Sequence, residues 1–216
     1  MKQAARSPQP KVLRVLAHIV SFVCHPVFFP LVMALVLYKL SPADFMGFSN
    51  KQVGLWFISI AFTAVFFPLF SILLMKPLGF ITSYHMPTAR ERTIPLMASM
   101  IFYFWITHVF NNIQGPPLIL RVLLLGNFWG IICLFMANIF VKVSLHTGAA
   151  GGMIGILIVL MKVSPADMTI PLFVAIVVAG VIGTARMILG AHERGDIWLG
   201  YIIGIAVQYG AYIYLR

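Results

Sequence analysis

Charge is what this chain has least of. Only 9% of its 216 residues are charged, and aspartate and glutamate together number five. Soluble domains carry about 25% charged residues, so a water-exposed globular surface is excluded. A disulfide scaffold is excluded as well. The two cysteines, Cys24 and Cys133, fall inside apolar runs, read as small packing residues and say little about redox compartment. What fills the chain instead is hydrophobic side chain, 61% of the total. It is arranged in repeated runs of the length that crosses a hydrocarbon core of roughly 30 Å as a helix.

The pattern predicts an all-α, polytopic transmembrane helical bundle of about seven spans, a six-span core plus one extra or interfacial helix. The whole of 1–216 reads as one integral membrane domain. The spans are expected near 16–39, 53–75, 94–111, 118–141, 147–163, 169–185 and 197–215. The basic start "MKQAARSPQPKVLRVL" resembles a signal peptide. The apolar run behind it continues to residue 39 without a small-x-small cleavage site, so a retained first span is expected, kinked or split at His25-Pro26 and Pro30. The fifth and sixth spans are short and rich in Gly and Ala, which favours close helix packing over lipid-facing bulk. Two echoes, "KLSPADF" and "KVSPADM", each follow a span and read as a turn with a cap for the next helix.

The net charge of +10 does not imply a nucleic-acid partner, because the basic residues lie mostly between spans, where topology and anionic headgroups account for them. With seven spans, the N-terminus and the loops 76–93, 142–146 and 186–196 share one membrane face. Glu91, Glu193 and Asp196 lie there with ten of the fifteen basic residues.

Those three loops carry the polar chemistry. In "ARMILGAHERGD" (185–196), His192 and Asp196 stand four apart and share a helix face. A carboxylate there fixes the imidazole tautomer and leaves the other nitrogen for reaction. Arg186 adds a permanent charge and a fork suited to oxyanions. Such a stretch can equally be a solvated interfacial loop. "KVSLHTGAAGGMIG" sets Lys142, Ser144 and His146 at a glycine-rich helix start, where N–H groups favour phosphate. Two histidines on one face suit phosphoryl transfer, one attacking phosphorus and one protonating the leaving oxygen. "HMPTARERTIP" offers Arg90 and Arg92 to neutralise the phosphate, with His85 as a further contact. His18, His25 and His108 lie in or beside apolar runs and are set aside. A metal held by His146, His192 and Asp196 is the lesser alternative to an anion pocket.

These residues resemble the type 2 phosphatidic acid phosphatase family, relatives of the vanadium haloperoxidases. That family carries Lys-x6-Arg-Pro, Pro-Ser-Gly-His and Ser-Arg-x5-His-x3-Asp. Arg186, His192 and Asp196 match the third motif, with Ala185 in place of serine. Ser144 and His146 match the second, with Val143 and Leu145 in place of proline and glycine. The first is degenerate, and "ARERTIP" substitutes for it. The resemblance implies that His192 is the nucleophile forming a phosphohistidine, oriented by Asp196, with His146 the acid for the leaving group. It also implies that Arg186, Ser144 and Arg90 or Arg92 hold the phosphate and that no metal or other cofactor is needed; Lys142 is a further phosphate contact that the family motif does not place.

The expected function is hydrolysis of a lipid phosphomonoester or diphosphate, with phosphatidate-like lipids, lipid A phosphates and prenyl diphosphates as substrates. The alternative is a lipid-phosphate binder or transporter without turnover. A cell inner membrane is the expected location. Lys2, Arg6, Lys11 and Arg14 favour a cytoplasmic N-terminus and active-site face, whereas many members of the family face outward. Gly200 and Gly204 form a G-x-x-x-G packing face behind His192.

Overall fold

The computed structural model describes residues 9–84, 86 and 89–216, with Ala89 and Arg90 described through their backbone alone. Lys2, Arg6 and His85 lie outside the described residues. The described residues form helices without strands, seven of them long and apolar enough to cross a membrane, and this is an integral membrane protein.

Proline sets the breaks in the first half. Helices α1 (Lys11–Val23) and α2 (Phe29–Leu40) divide one long first span. Pro26 and Pro30 supply no N–H there, and His25 Nδ1 caps the break by accepting from the Val27 amide at 3.3 Å. The split expected at His25-Pro26 is present. The second span runs through α3 (Asn50–Ile60) and α4 (Phe67–Met75), joined by a wide π-turn at Ala61–Phe66. Pro68 explains that turn, because it lacks the N–H that would bond the Ala64 carbonyl. Helix α5 (Ala89–Asn112) contains Pro95, so the Glu91 carbonyl likewise lacks its α-helical donor.

The second half is more regular: α6 (Leu118–Phe140), α7 (Leu145–Val163), α8 (Thr169–Ile188) and α9 (Arg194–Leu215). Leu120, Val122, Leu123 and Leu124 of α6 and Ile156 and Leu160 of α7 are buried in the same core. Apolar surface withdrawn from solvent does not drive association between spans as it does in water, so close backbone approach carries more of the packing. A Cβ on Gly204 would lie 2.1 Å from the Gly148 carbonyl oxygen and 2.5 Å from the Gly152 nitrogen, both main chain. One on Gly200 would lie 2.3 Å from Thr147 Oγ1. The G-x-x-x-G face is therefore the contact of α9 with α7.

The sixth span departs from expectation. Although rich in Gly and Ala, α8 leaves Ile170, Phe173, Val174 and Ile176 exposed, and nothing lies near Gly180. Its small residues Ala179 and Gly183 meet Tyr201 instead, whose hydroxyl donates to the Ala179 carbonyl at 2.5 Å. Cys133 is also exposed rather than packed. Neither Ser-Pro turn supplies a side-chain N-cap, although in the second Asp167 Oδ1, one residue before the N-cap Met168, accepts from the Thr169 amide at the start of α8 at 2.9 Å. In the first, Ser41 Oγ bonds Asp44 at 2.6 Å, and the two turns meet where Ser41 and Ser164 hydroxyls lie 3.2 Å apart.

Candidate active site

Helix α8 ends with Arg186 in its last turn. The chain reverses at Gly190, whose φ of +62° is the left-handed conformation that glycine adopts without strain. The Ala191 amide bonds back to the Arg186 carbonyl at 3.1 Å. This compact reversal is why the Arg-x5-His spacing brings Arg186 and His192 to one cavity. Glu193 and Asp196 then start α9 with a capping box: the Asp196 carboxylate accepts from the Glu193 amide at 3.1 Å, and the Glu193 side chain accepts from the Asp196 amide. Part of the local charge is thus spent on starting a helix.

His192 is buried, 5% exposed. Its Nδ1 lies 2.9 Å from the Lys142 carbonyl oxygen and 3.4 Å from Asp196 Oδ2. With Nδ1–H donating, Nε2 carries the lone pair and has no bonded partner among the described residues. Burial pushes the His192 imidazole pKa down to about 4. The Arg92 and Arg186 charges push the same way, while the Lys142 carbonyl and Asp196 oppose them. At neutral pH the ring is an uncharged base.

His146 sits in the first turn of α7, and its Nε2 lies 3.0 Å from the Ser21 carbonyl of α1. The His25 ring stands edge-on to it, with centroids 5.4 Å apart. Arg186 reaches the same residue of α1: its Nη1 donates to Ser21 Oγ at 3.2 Å, while its Nε is buried without a partner among the described residues. Arg92, in the first turn of α5, uses Nε to donate to the Met86 carbonyl at 3.0 Å.

Arg92, His146, Arg186 and His192 all line one cavity of about 230 Å³. A single water needs only about 10–15 Å³ by the same measure, so the space is of ligand size. Its other walls are largely apolar, including Phe29, Ile72, Leu96, Ile131 and Leu134. With His25, which also lines it, the arrangement joins two guanidinium groups and three imidazoles to a hydrocarbon-lined chamber, which suits an anion carrying an apolar tail.

A family model matches the C-terminal part of the chain, where most of these residues lie. Residues 135–216 match the PAP2 superfamily. No curated protein and no solved structure matches the chain. The PAP2 segment supplies Lys142, His146, Arg186, His192 and Asp196, whereas Arg92, Ser21 and His25 reach the same cavity or its histidine from outside it.

Other expected residues stand apart from the cavity wall. Ser144 is fully buried at the start of α7, where its hydroxyl accepts from the Thr147 amide at 3.4 Å and its own amide donates to the Asp196 carbonyl at 3.3 Å. Lys142 contributes its main-chain carbonyl, not its ammonium, to His192. Asp196 lies behind His192 on the Nδ1 side. The Arg90 side chain lies outside the described residues. Among the described residues no three histidine, cysteine or carboxylate side chains come together as a cation site requires.

Sequence reading missed Ser21 and the Lys142 carbonyl, because a main-chain acceptor leaves no residue-type signature. It set aside His25, and it passed over Asn127 and Gln208 at the deep end of the cavity. Those last two had a signal: an amide in an apolar span is costly unless it serves a purpose.

Proposed function

We propose that this membrane protein is a lipid-phosphate phosphatase working through a phosphohistidine. Members of the PAP2 superfamily are phosphatases, which supports a phosphoric ester hydrolase. The observation that carries the finer reading is the pairing, in one cavity, of an imidazole whose Nδ1 is tied down with a guanidinium whose buried Nε lacks an acceptor. An unpaired buried donor of that kind favours an oxyanion.

In the proposed sequence Arg186 and Arg92 take the phosphoryl oxygens. The Nε2 lone pair of His192 attacks phosphorus as the P–O bond to the lipid breaks, and His146, carrying a second proton once the anionic substrate is bound, passes that proton to the departing oxygen. Water then attacks phosphorus, the P–N bond breaks, and His146 recovers a proton from that water. Lys142 and Asp196 support the developing positive charge on His192 through Nδ1. The route needs no metal. The apolar wall takes the first part of the lipid chain, while the rest stays in the bilayer. The whole of 1–216 acts as one domain in this reading, with a cell inner membrane as its expected site.

Phosphate release from phosphatidate-like, lipid A-like and prenyl diphosphate substrates, in detergent with excess chelator, tests this. Release by the parent protein and its loss in both His192→Ala and His146→Ala are expected. Folded parent protein that binds these lipids without releasing phosphate would make it a binder, and activity abolished by chelator alone would refute the metal-free route.

A further inference from the structure

The cavity does not end in hydrocarbon. At its deep end Gln208 of α9 and Asn127 of α6 face each other, Gln208 Nε2 donating to Asn127 Oδ1 at 3.0 Å. Gln208 is 1% exposed and Asn127 8%. Nε2 also donates to the Leu123 carbonyl at 3.5 Å, and among the described residues Gln208 Oε1 and Asn127 Nδ2 stay buried without partners, one an acceptor and the other a donor. A buried polar atom left unpaired costs about 1–3 kcal/mol, and no bulk water reaches the middle of a span to relieve it. Glycine makes the room at Gly126, where a Cβ would lie 2.4 Å from Gln208 Oε1; Gly152 of α7 lies alongside, its Cβ position 3.8 Å from Nε2.

The pair is remote from the phosphate end. Gly152 follows His146 by six residues of α7, about 9 Å along the axis, and Gln208 follows Asp196 by twelve residues of α9, about 18 Å. Both residues nevertheless line the ligand-sized cavity, with one donor and one acceptor of the pair still unused.

We propose that Gln208 and Asn127 form a second recognition site, for a hydroxyl on the hydrophobic part of the lipid. This rests on the phosphate-binding reading of Arg186 and Arg92 and names the substrate class more closely: an amphiphile phosphate hydroxylated along its chain. A hydroxyl satisfies both orphaned atoms from one oxygen, donating to Gln208 Oε1 and accepting from Asn127 Nδ2. An ester carbonyl meets only the donor, and a plain alkyl or isoprenoid chain meets neither. Chains lacking the group are therefore disfavoured by the atoms they leave unpaired.

The test is equilibrium binding to His192→Ala protein in detergent, so that turnover plays no part. The probes are octadecyl phosphate, its mid-chain hydroxylated counterparts, and the matching unphosphorylated alcohols. At least one hydroxylated phosphate is expected to bind about ten-fold tighter than octadecyl phosphate. Adding Gln208→Met or Asn127→Asp should reduce that ratio to near one while leaving octadecyl phosphate binding and the melting temperature little changed. Equal binding of all chains, or a ratio that survives both substitutions, overturns the proposal and leaves the amides to an internal water. Should phosphates bind no better than alcohols, the headgroup reading fails, and the hydroxyl preference is still decided by the ratio among the alcohols. No binding by any probe overturns both.

Discussion

His192 Nδ1 lies closer to the Lys142 carbonyl, at 2.9 Å, than to the Asp196 carboxylate, at 3.4 Å. A main-chain acceptor held between α6 and α7 thus fixes the tautomer that leaves Nε2 free, and Asp196 adds charge rather than sole orientation. Asp196→Asn should therefore keep a measurable fraction of activity, falling about 10–100-fold, the range for loss of a supporting partner. His192→Ala should fall to background. Initial rates on one lipid phosphate decide this, and equal loss in both variants would return the orienting role to Asp196.

The His192 imidazole, held down at about 4 chiefly by burial, predicts an unusual acid limb. The unfolded chain has an ordinary histidine near 6.5 and takes up its proton first as pH falls. The folded state binds that proton only near pH 4. This group's effect is therefore absent above about 6.5, and it lowers stability progressively as pH drops from there to about 4. Nucleophilic competence follows the folded value, so the Nε2 nitrogen signal of His192 in a selectively labelled sample should still report a neutral ring at pH 5.5. Titration near 6.5 would show that burial is much weaker than the structure implies.

Packing of α9 on α7 gives a sharp contrast between two glycines. Gly204→Ala drives a methyl into the main chain of Gly148 and Gly152, neither of which can rotate away. It should cost about 3 kcal/mol or more, the upper range for overpacking, and displace His192 with the start of α9. Gly180→Ala meets nothing within 4 Å, in the interior of α8. It should be neutral or stabilising by up to about 1 kcal/mol, through helix propensity alone. Thermal melts of the two variants in the same detergent provide the comparison.

These contrasts mark where the sequence was readable. Span number followed from the length of apolar runs, and the meeting of Arg92, His146, Arg186 and His192 followed from counting spans and from motif spacing. The G-x-x-x-G face was legible because only glycine permits such an approach. Helix α8 was not, since small residues in a span do not reveal whether their neighbours face lipid. Ser144 looked like a phosphate ligand by position, but the same hydroxyl suits an N-cap, and local capping is what it does. The Ser21 and Lys142 carbonyls are main-chain oxygens, which no residue pattern announces, although Ser21 also offers its hydroxyl to Arg186.

Ser21 leads to the last prediction. Its hydroxyl accepts from Arg186 Nη1 and its carbonyl accepts from His146, so one residue of α1, outside the PAP2 segment, touches two of the cavity's five cationic or basic side chains. Ser21→Ala removes only the hydroxyl and leaves the carbonyl on His146. Arg186 then loses its tether but keeps its charge, and affinity for inorganic phosphate or vanadate should change by less than about ten-fold, the scale of one hydrogen bond. Arg186→Lys keeps the charge and loses the fork, including the buried Nε donor, and should weaken the same inhibitors by about 100-fold or more, since a point charge does not replace bidentate recognition. Inhibition constants for the two variants, measured against one substrate, separate these effects. Near-equal constants for the parent and Arg186→Lys would mean that the guanidinium serves α1 rather than the phosphate.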